Sequence, residues 1–402
     1  MAASKRFRRM TFDQLISAAA ASKASDIHLR AGHPPLVRVN GELQKWTTVA
    51  ALTPAHLEAI AGRMLPPGIY LGQGRGGALL DRANEATQAE GRLEVDVAWQ
   101  ASESIRIRAS VFRQRGTVGV SMRLIPDKIP PIEELGLPAS VIKLTEERRG
   151  LVVVTGVTGS GKSTTLAALI DVINRNRPDH VLTIEDPIEF VHRNKRGVIT
   201  QREIRTDTES YASGLRAALR QDPDVILIGE MRDPETIETA LIAAETGHLV
   251  FSTLHTLNAP ETINRIVSVF PPHQHDQIRH QLAGVLKASV SQRLLPAADG
   301  KRRVLAAEVL VSTPYIKDCI ADQDKTSLIA DAIVAGGSEY GMQSFDQAIL
   351  KLVQDGTVTI AEAERSVTNV EEFRMRLRGI SSGTSSTMVM SGMGADVHRF
   401  VK

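Results

Sequence analysis

Residues 150–165 read GLVVVTGVTGSGKSTT, and this stretch decides the fold. Leu151 to Val154 is a short apolar run of the kind that forms a buried parallel strand. It breaks into Gly156-Val157-Thr158-Gly159-Ser160-Gly161-Lys162-Ser163, a match to the phosphate-binding pattern G-x-x-x-x-G-K-[ST]. Glycines there let backbone N–H groups turn toward an anion with no Cβ in the way. Ser163-Thr164-Thr165 then leads Leu166-Ala167-Ala168-Leu169-Ile170 at helical spacing, so the loop ends at a helix N-terminus, whose dipole favours negative charge. The expected ligand is a nucleoside triphosphate with Mg²⁺. Gly156, Thr158, Gly159, Ser160, Gly161 and Thr164 form the cradle, Lys162 reaches the outer phosphates, and the Ser163 hydroxyl is the metal ligand.

The chain has 402 residues, enough for two or three domains. A net charge of +2 offers no bulk electrostatic reason to expect nucleic acid or a membrane surface as partner. The single cysteine, Cys319, excludes an intramolecular disulfide and a multi-cysteine zinc site, and fits a reducing compartment. No apolar run approaches the roughly 18 residues of a transmembrane helix. The basic start MAASKRFRRM is followed by Asp13 and Gln14, and Ala18 to Ala21 is too short for the core of a signal peptide. The composition therefore reads as a soluble, cytoplasmic protein.

Residues 1–125 read as a small α+β domain. Phe12 to Ala21 has helical spacing, Asp26 to Arg30 and Leu36 to Val39 alternate as strands, and Asn40-Gly41 marks a hairpin turn. Thr53 and Pro54 open a helix to about Met64, Pro66 to Gly77 is a loop, and Leu93–Val97, Ile105–Arg108 and Gly119–Leu124 are antiparallel strands. Pro126, Pro130 and Pro131 punctuate a linker over 126–138. From 139 to 380 strands and helices alternate, which predicts a mostly parallel sheet with helical crossovers. Its strands are His180–Ile184, Asp224–Ile228 and Leu249–Thr253, with a helix from about Thr208 to Arg220 and another capped by Asp233. After Pro271 the chain reads as helices, apart from a strand at Val304–Val311. Residues 381–402, rich in Ser, Gly and Met, read as a disordered tail.

Parallel sheets place ligands at the C-terminal ends of their strands. Triphosphate hydrolysis there needs a carboxylate near the metal and a base for the attacking water. Glu230 ends one apolar strand, where aspartate is commoner, and Glu185, Asp186 and Glu189 follow a neighbouring one. His248 and His255 flank the strand Leu249–Thr253; by themselves they read as packing or capping residues.

The stretches GVTGSGKST, TIEDPIEF, DPDVILIGEMRD and TGHLVFSTLHT, in this order, closely resemble the secretion ATPases of the type II/IV superfamily. Within it the chain is most similar to the type IV pilus retraction group, the PilT/PilU type. ASDIHLRAGHPPLVRVNGEL looks like that group's opening stretch, and the resemblance runs from Phe12 to Arg376. It implies a RecA-like P-loop core behind a PAS-like N-terminal domain, with a C-terminal helical region. It implies a cytoplasmic homohexamer that hydrolyses ATP with Mg²⁺ between subunits, drives pilus retraction and twitching, and lies beside the inner membrane through a pilus platform protein. A paralogous retraction ATPase is a further implied partner. The resemblance makes Glu189 the general base and Glu230 the acid that holds metal and water. It makes His248 and His255 sensors of the γ-phosphate, and Arg106, Arg108 and Arg123 phosphate contacts, some reaching a neighbouring subunit.

Two departures qualify the match. The four-cysteine module of filament-assembling relatives is absent, which favours the retraction branch over an assembly or type II secretion ATPase. Where retraction enzymes carry AIRNLIRE, this chain reads Tyr315-Ile316-Lys317-Asp318-Cys319-Ile320-Ala321-Asp322. That leans toward the PilU-like accessory paralogue and leaves open a non-motor nucleotide-binding subunit of a partner ATPase. Ile316 and Ile320 share a helical face, which either meets a partner or packs in the core.

Overall fold

The computed structural model describes residues 10–39, 42–65, 93–102, 105–125 and 128–379. The Asn40-Gly41 turn, the loop at 66–77, Pro126 and the tail at 381–402 lie outside the described residues. Thirteen strands are described, in two sheets.

The N-terminal sheet is antiparallel, in the order β3-β2-β1-β6-β5-β4. Its strands are β1 (Ala24–Leu29), β2 (Leu36–Val39), β3 (Glu42–Lys45), β4 (Glu94–Ser102), β5 (Ile105–Gln114) and β6 (Thr117–Ile125). β5 and β6 run longer than their alternation suggests, because Arg115 and Gly116 both take positive φ (51° and 76°). Such a two-residue turn matches strand twist and carries pairing to its base, where Gln114 meets Thr117. The helices Phe12–Ala21 and Pro54–Met64 start at Thr11 and Thr53, each of which accepts a backbone N–H at its cap. Leu15, Ile16, Leu57 and Ala61 of these helices pack on Ile27, Ile107 and Met122 of the sheet. Directly opposed residues share a face, so Asp26, Arg108 and Arg123 lie together on the other side, with Arg106 two residues along.

The second sheet has the order β13-β12-β7-β11-β10-β8-β9. Its strands are β7 (Gly150–Thr155), β8 (His180–Glu185), β9 (Val198–Glu203), β10 (Val225–Ile228), β11 (Leu249–Leu254), β12 (Leu286–Pro296) and β13 (Arg303–Val311). All neighbours are parallel except the β12–β13 pair. Every residue of β7, β10 and β11 is buried, as expected of strands covered on both faces. Leu151 and Val153 pack with the helices Tyr211–Ala218, Pro234–Glu245 and Ala259–Ser268, while Val152 and Val154 meet the helix Lys162–Asn176. This is the RecA-like layered α/β arrangement.

Two strands depart from the sequence reading. β9 is polar, VITQRE, and sits at the sheet edge, where no apolar run is required. β12, LKASVSQRLLP, falls in a region read as helix, and its Leu, Lys, Ala, Gln and Arg are good helix formers. Pairing with β7 on one side and β13 on the other overrides that preference. The helix read from Thr208 to Arg220 is shorter, Tyr211–Ala218, because Ser210 caps it. Ile316 and Ile320 are both fully buried, so the core reading of that helix face holds, with Lys317 and Asp318 exposed. No helix among the described residues is long and apolar enough to cross a membrane.

Candidate functional site

The parallel strands β7, β8, β10 and β11 all end at one edge of the sheet, and a cavity of about 470 Å³ lies there, reached from the N-terminal sheet by Arg123. The loop after β7 forms its floor. Gly156 sits at φ 137°, and a Cβ on it would lie 2.5 Å from the Gln292 carbonyl oxygen and 2.6 Å from Ser160 Oγ. No other residue fits that bend. The helix Lys162–Asn176 begins immediately after, its first N–H groups facing the cavity end. Lys162 Nζ donates to the loop's own carbonyls, 2.7 Å to Gly156 and 3.1 Å to Val157. Burial pulls this ammonium below its ordinary pKa, and Glu230 and Glu189 pull it back.

Thr158, Gly159, Gly161, Lys162, Ser163 and Thr164 line the cavity together with Glu185, Asp186, Glu189, Glu230 and His255. Gly156 and Ser160 lie behind that wall, and the buried Ser160 Oγ has no hydrogen-bond partner. Glu230 stands two residues beyond β10, its Oε1 held 2.7 Å from Arg232 Nε and 3.3 Å from His255 Nε2. The Glu189 N–H donates to the Glu185 carboxylate, which also accepts from Thr183 Oγ1 at 2.7 Å and Gln201 Nε2 at 3.1 Å.

Burial raises Glu185 to about 7 from 4.5, against those three hydrogen bonds. Between these values the folded chain holds a proton that the unfolded chain releases, so this group's contribution to stability falls as pH rises from 4.5 to 7. Glu185→Gln keeps the acceptor and removes the charge. It is expected to stabilise the protein at pH 8 by about 1–3 kcal/mol and to change little at pH 4.5. Denaturation midpoints at the two pH values check this, and equal shifts would mean that Glu185 is not the titrating group.

The histidines part company. His255 follows β11 and reaches the cavity, whereas His248 precedes β11, at the opposite edge of the sheet. Its Nδ1 lies 2.9 Å from the Ala243 carbonyl at the end of the helix Pro234–Glu245. The capping role is therefore what the structure displays for His248, and the γ-phosphate role is not.

The arginines also divide. Arg123 lines the cavity of its own chain, its Nε 3.0 Å from Asp26 Oδ1. Arg108 is exposed beside it and does not line the cavity. Arg106 points elsewhere: its Nη2 meets Glu203 Oε2 at 2.6 Å, and the same oxygen accepts the Ile188 N–H at 3.1 Å. This pair joins the N-terminal sheet to β9 and, through Ile188, to the residue before Glu189. Glu203 is 4% exposed. Arg106→Ala is expected to cost about 1–3 kcal/mol, because it strips a charged donor from a buried carboxylate. An unchanged denaturation midpoint would show that the pair does not form in solution.

Other residues of the site carry no motif signal. Tyr211, from the helix after β9, lines the cavity, and burial pushes its phenol up, with Asp186, Glu230 and Glu185 adding to the effect. Gln292 Nε2, on the unforeseen β12, donates to Thr165 Oγ1 at 2.7 Å and backs the loop. Arg232 was legible only as part of the GEMRD stretch.

The profile of the family described as "Type II/IV secretion system protein" matches residues 77–365. A Pseudomonas aeruginosa protein named "Type IV pilus retractation ATPase PilT" is 40% identical over 366 residues, 90% of this chain and 100% of that protein. The "Type IV pilus ATPase PilU" of the same organism is 38% identical over 369 residues, 92% of each chain. A solved structure described as the pilus retraction motor PilT with bound ADP superimposes with a TM-score of 0.79 at 41% identity, covering 90% of this chain and 99% of that one.

Proposed function

This chain belongs to the type II/IV secretion system protein family, and we propose that it is an ATP-hydrolysing motor for type IV pilus retraction. The observation that carries this reading is one cavity walled by the phosphate loop, by carboxylates from two strand ends and by an arginine of the N-terminal sheet. Near-full-length similarity to proteins named for retraction and for the pilus ATPases supports it. In this reading Lys162 leaves the loop carbonyls for the outer phosphates when nucleotide arrives. Glu189 orients the attacking water and takes its proton. Arg123 neutralises charge that spreads over the transferring phosphoryl group.

Ser163 and Glu230 offer hard oxygen donors on facing walls, and a donor set this small fits Mg²⁺, which takes one or two protein oxygens and completes its shell with phosphate and water. Bound there, Mg²⁺ would supply charge neutralisation to the phosphates. His255, its Nε2 3.3 Å from Glu230 Oε1, is placed to register the occupant of the γ-position. Closure of Arg123 on nucleotide biases the orientation of the N-terminal sheet to the ATPase core. The linker read at 126–138 is not all free to bend, since Ile132 is buried with Val152 and Leu169, and Ile129, Leu135 and Leu137 pack against that cluster.

The working form in this reading is a cytoplasmic ring of six copies docked on a platform protein at the inner membrane. Arg108, exposed and outside its own chain's cavity, is the arginine available to a neighbour. Deleting the gene should abolish twitching while surface pili persist. Loss of the pili themselves would point instead to an assembly ATPase. Purified chain that hydrolyses ATP only with a second ATPase present would make it the accessory paralogue.

A further inference from the structure

A second cavity, also of about 470 Å³, lies away from the nucleotide site, between the helices Ala259–Ser268 and His275–Val285 and the short helix Gln323–Leu328. Its lining is mostly apolar in surface, with Pro260 and Val267, and carries the exposed polar residues Asn264, Ser268, Gln323 and Ser327 and the half-buried His275. At its base is Arg279, 3% exposed. Nη1 donates to the Ile320 carbonyl and to Thr326 Oγ1, both at 3.1 Å, and Nη2 donates to Asn264 Oδ1 at 3.0 Å. A guanidinium carries five N–H groups. Three are used here, all on neutral acceptors, and the buried Nε has no partner.

Among the described residues no carboxylate forms an ion pair with Arg279. Burial pulls it below its ordinary pKa, while Asp276 and Asp322 oppose this from a distance. Asp322 is itself engaged by Lys325 Nζ at 2.9 Å. Buried arginines are ordinarily matched by a carboxylate or another anion, since neutral acceptors satisfy their geometry but not their charge. A structural tie between four elements accounts for the three bonds made. It does not account for an open cavity of small-molecule size above the unmet charge.

We propose that this cavity is a second ligand site, which takes a small molecule bearing an oxyanion, a carboxylate or a phosphate. The oxyanion meets the guanidinium through the remaining N–H of Nη2, since Nε is sealed beneath the surface. The mixed lining, with Pro260 and Val267 beside the polar side chains, holds the rest of the ligand. The test uses full-length protein saturated with Mg²⁺ and a non-hydrolysable ATP analogue, so that the phosphate loop is filled. Succinate and inorganic phosphate are then titrated separately, with binding read by ligand-observed NMR; which probe binds more tightly assigns the oxyanion class.

Ser268→Trp, which fills the mouth, is expected to weaken the bound probe at least tenfold while ATP turnover stays unchanged. Ser327→Glu, which brings a carboxylate to the rim, is expected to raise the melting temperature by ~2 °C and to abolish probe binding. Arg279→Lys should bind the probe at least tenfold more weakly where it folds, and the two serine variants decide the matter where it does not. No signal from either probe, a signal unchanged by Ser268→Trp, or a lower melting temperature for Ser327→Glu would each overturn the proposal.

Discussion

Replacing Glu230 with glutamine is expected to lower ATP turnover by about 10²–10³-fold while nucleotide affinity stays within about threefold. The contrast follows from where binding and chemistry draw their interactions. In the proposed reading phosphate is gripped by the loop after β7, whose N–H groups and Lys162 the substitution leaves in place. Glu230 lines the same cavity, with Arg232 and His255 both near its Oε1, and in the proposed mechanism its charge serves the metal and water of the reaction. Glutamine preserves volume and one acceptor but not the charge. Steady-state hydrolysis, paired with fluorescent nucleotide binding, checks both halves. Wild-type turnover would remove Glu230 from the chemistry, and lost binding would make it part of the phosphate grip.

Lys162→Ala is expected to behave in the opposite way, weakening nucleotide binding itself by about tenfold to a hundredfold. One charge-assisted contact with phosphate is worth about 1.5–3 kcal/mol, and each 1.4 kcal/mol is tenfold in affinity. The ammonium already sits in the floor of the cavity, 9% exposed and held by two loop carbonyls, so it is paid for before the ligand arrives. The carbonyl of exposed Val157 meets water in the variant, whereas that of buried Gly156 loses its donor at a cost of about 1–3 kcal/mol, small against a typical total stability of about 5–15 kcal/mol. Folding should therefore survive, and equilibrium nucleotide titration with circular dichroism separates the two effects. An unchanged dissociation constant would mean that Lys162 stays on the loop carbonyls when nucleotide binds.

How much was legible depended on whether a feature is local. The loop at 156–163 and the buried strands β7, β8, β10 and β11 are written in contiguous residues, with their apolar runs, glycines and flanking helix. Their direction follows from the alternation with helices. That alone brings Lys162, Glu185, Glu189, Glu230 and His255 to one end, because residues that follow parallel strands share an edge of the sheet.

What was not local was decided by tertiary contacts. β12 has helix-forming composition and became a strand because an open position beside β7 was filled by its backbone. Arg106 and Arg123 come from similar alternating strands, yet one is held by buried Glu203 and the other reaches the nucleotide cavity; which happens depends on how the two sheets face each other. His248 and His255 differ by seven positions spanning β11, and at about 3.3 Å per residue an extended strand puts its two ends roughly 20 Å apart. The sequence by itself therefore determined the nucleotide loop, the parallel core and the carboxylate wall, since each is set by a short run and the period of its strand or helix. Only the folded chain decided which arginine and which histidine face the ligand, because a side chain's charge finds its partner through the packing of segments far apart in the chain.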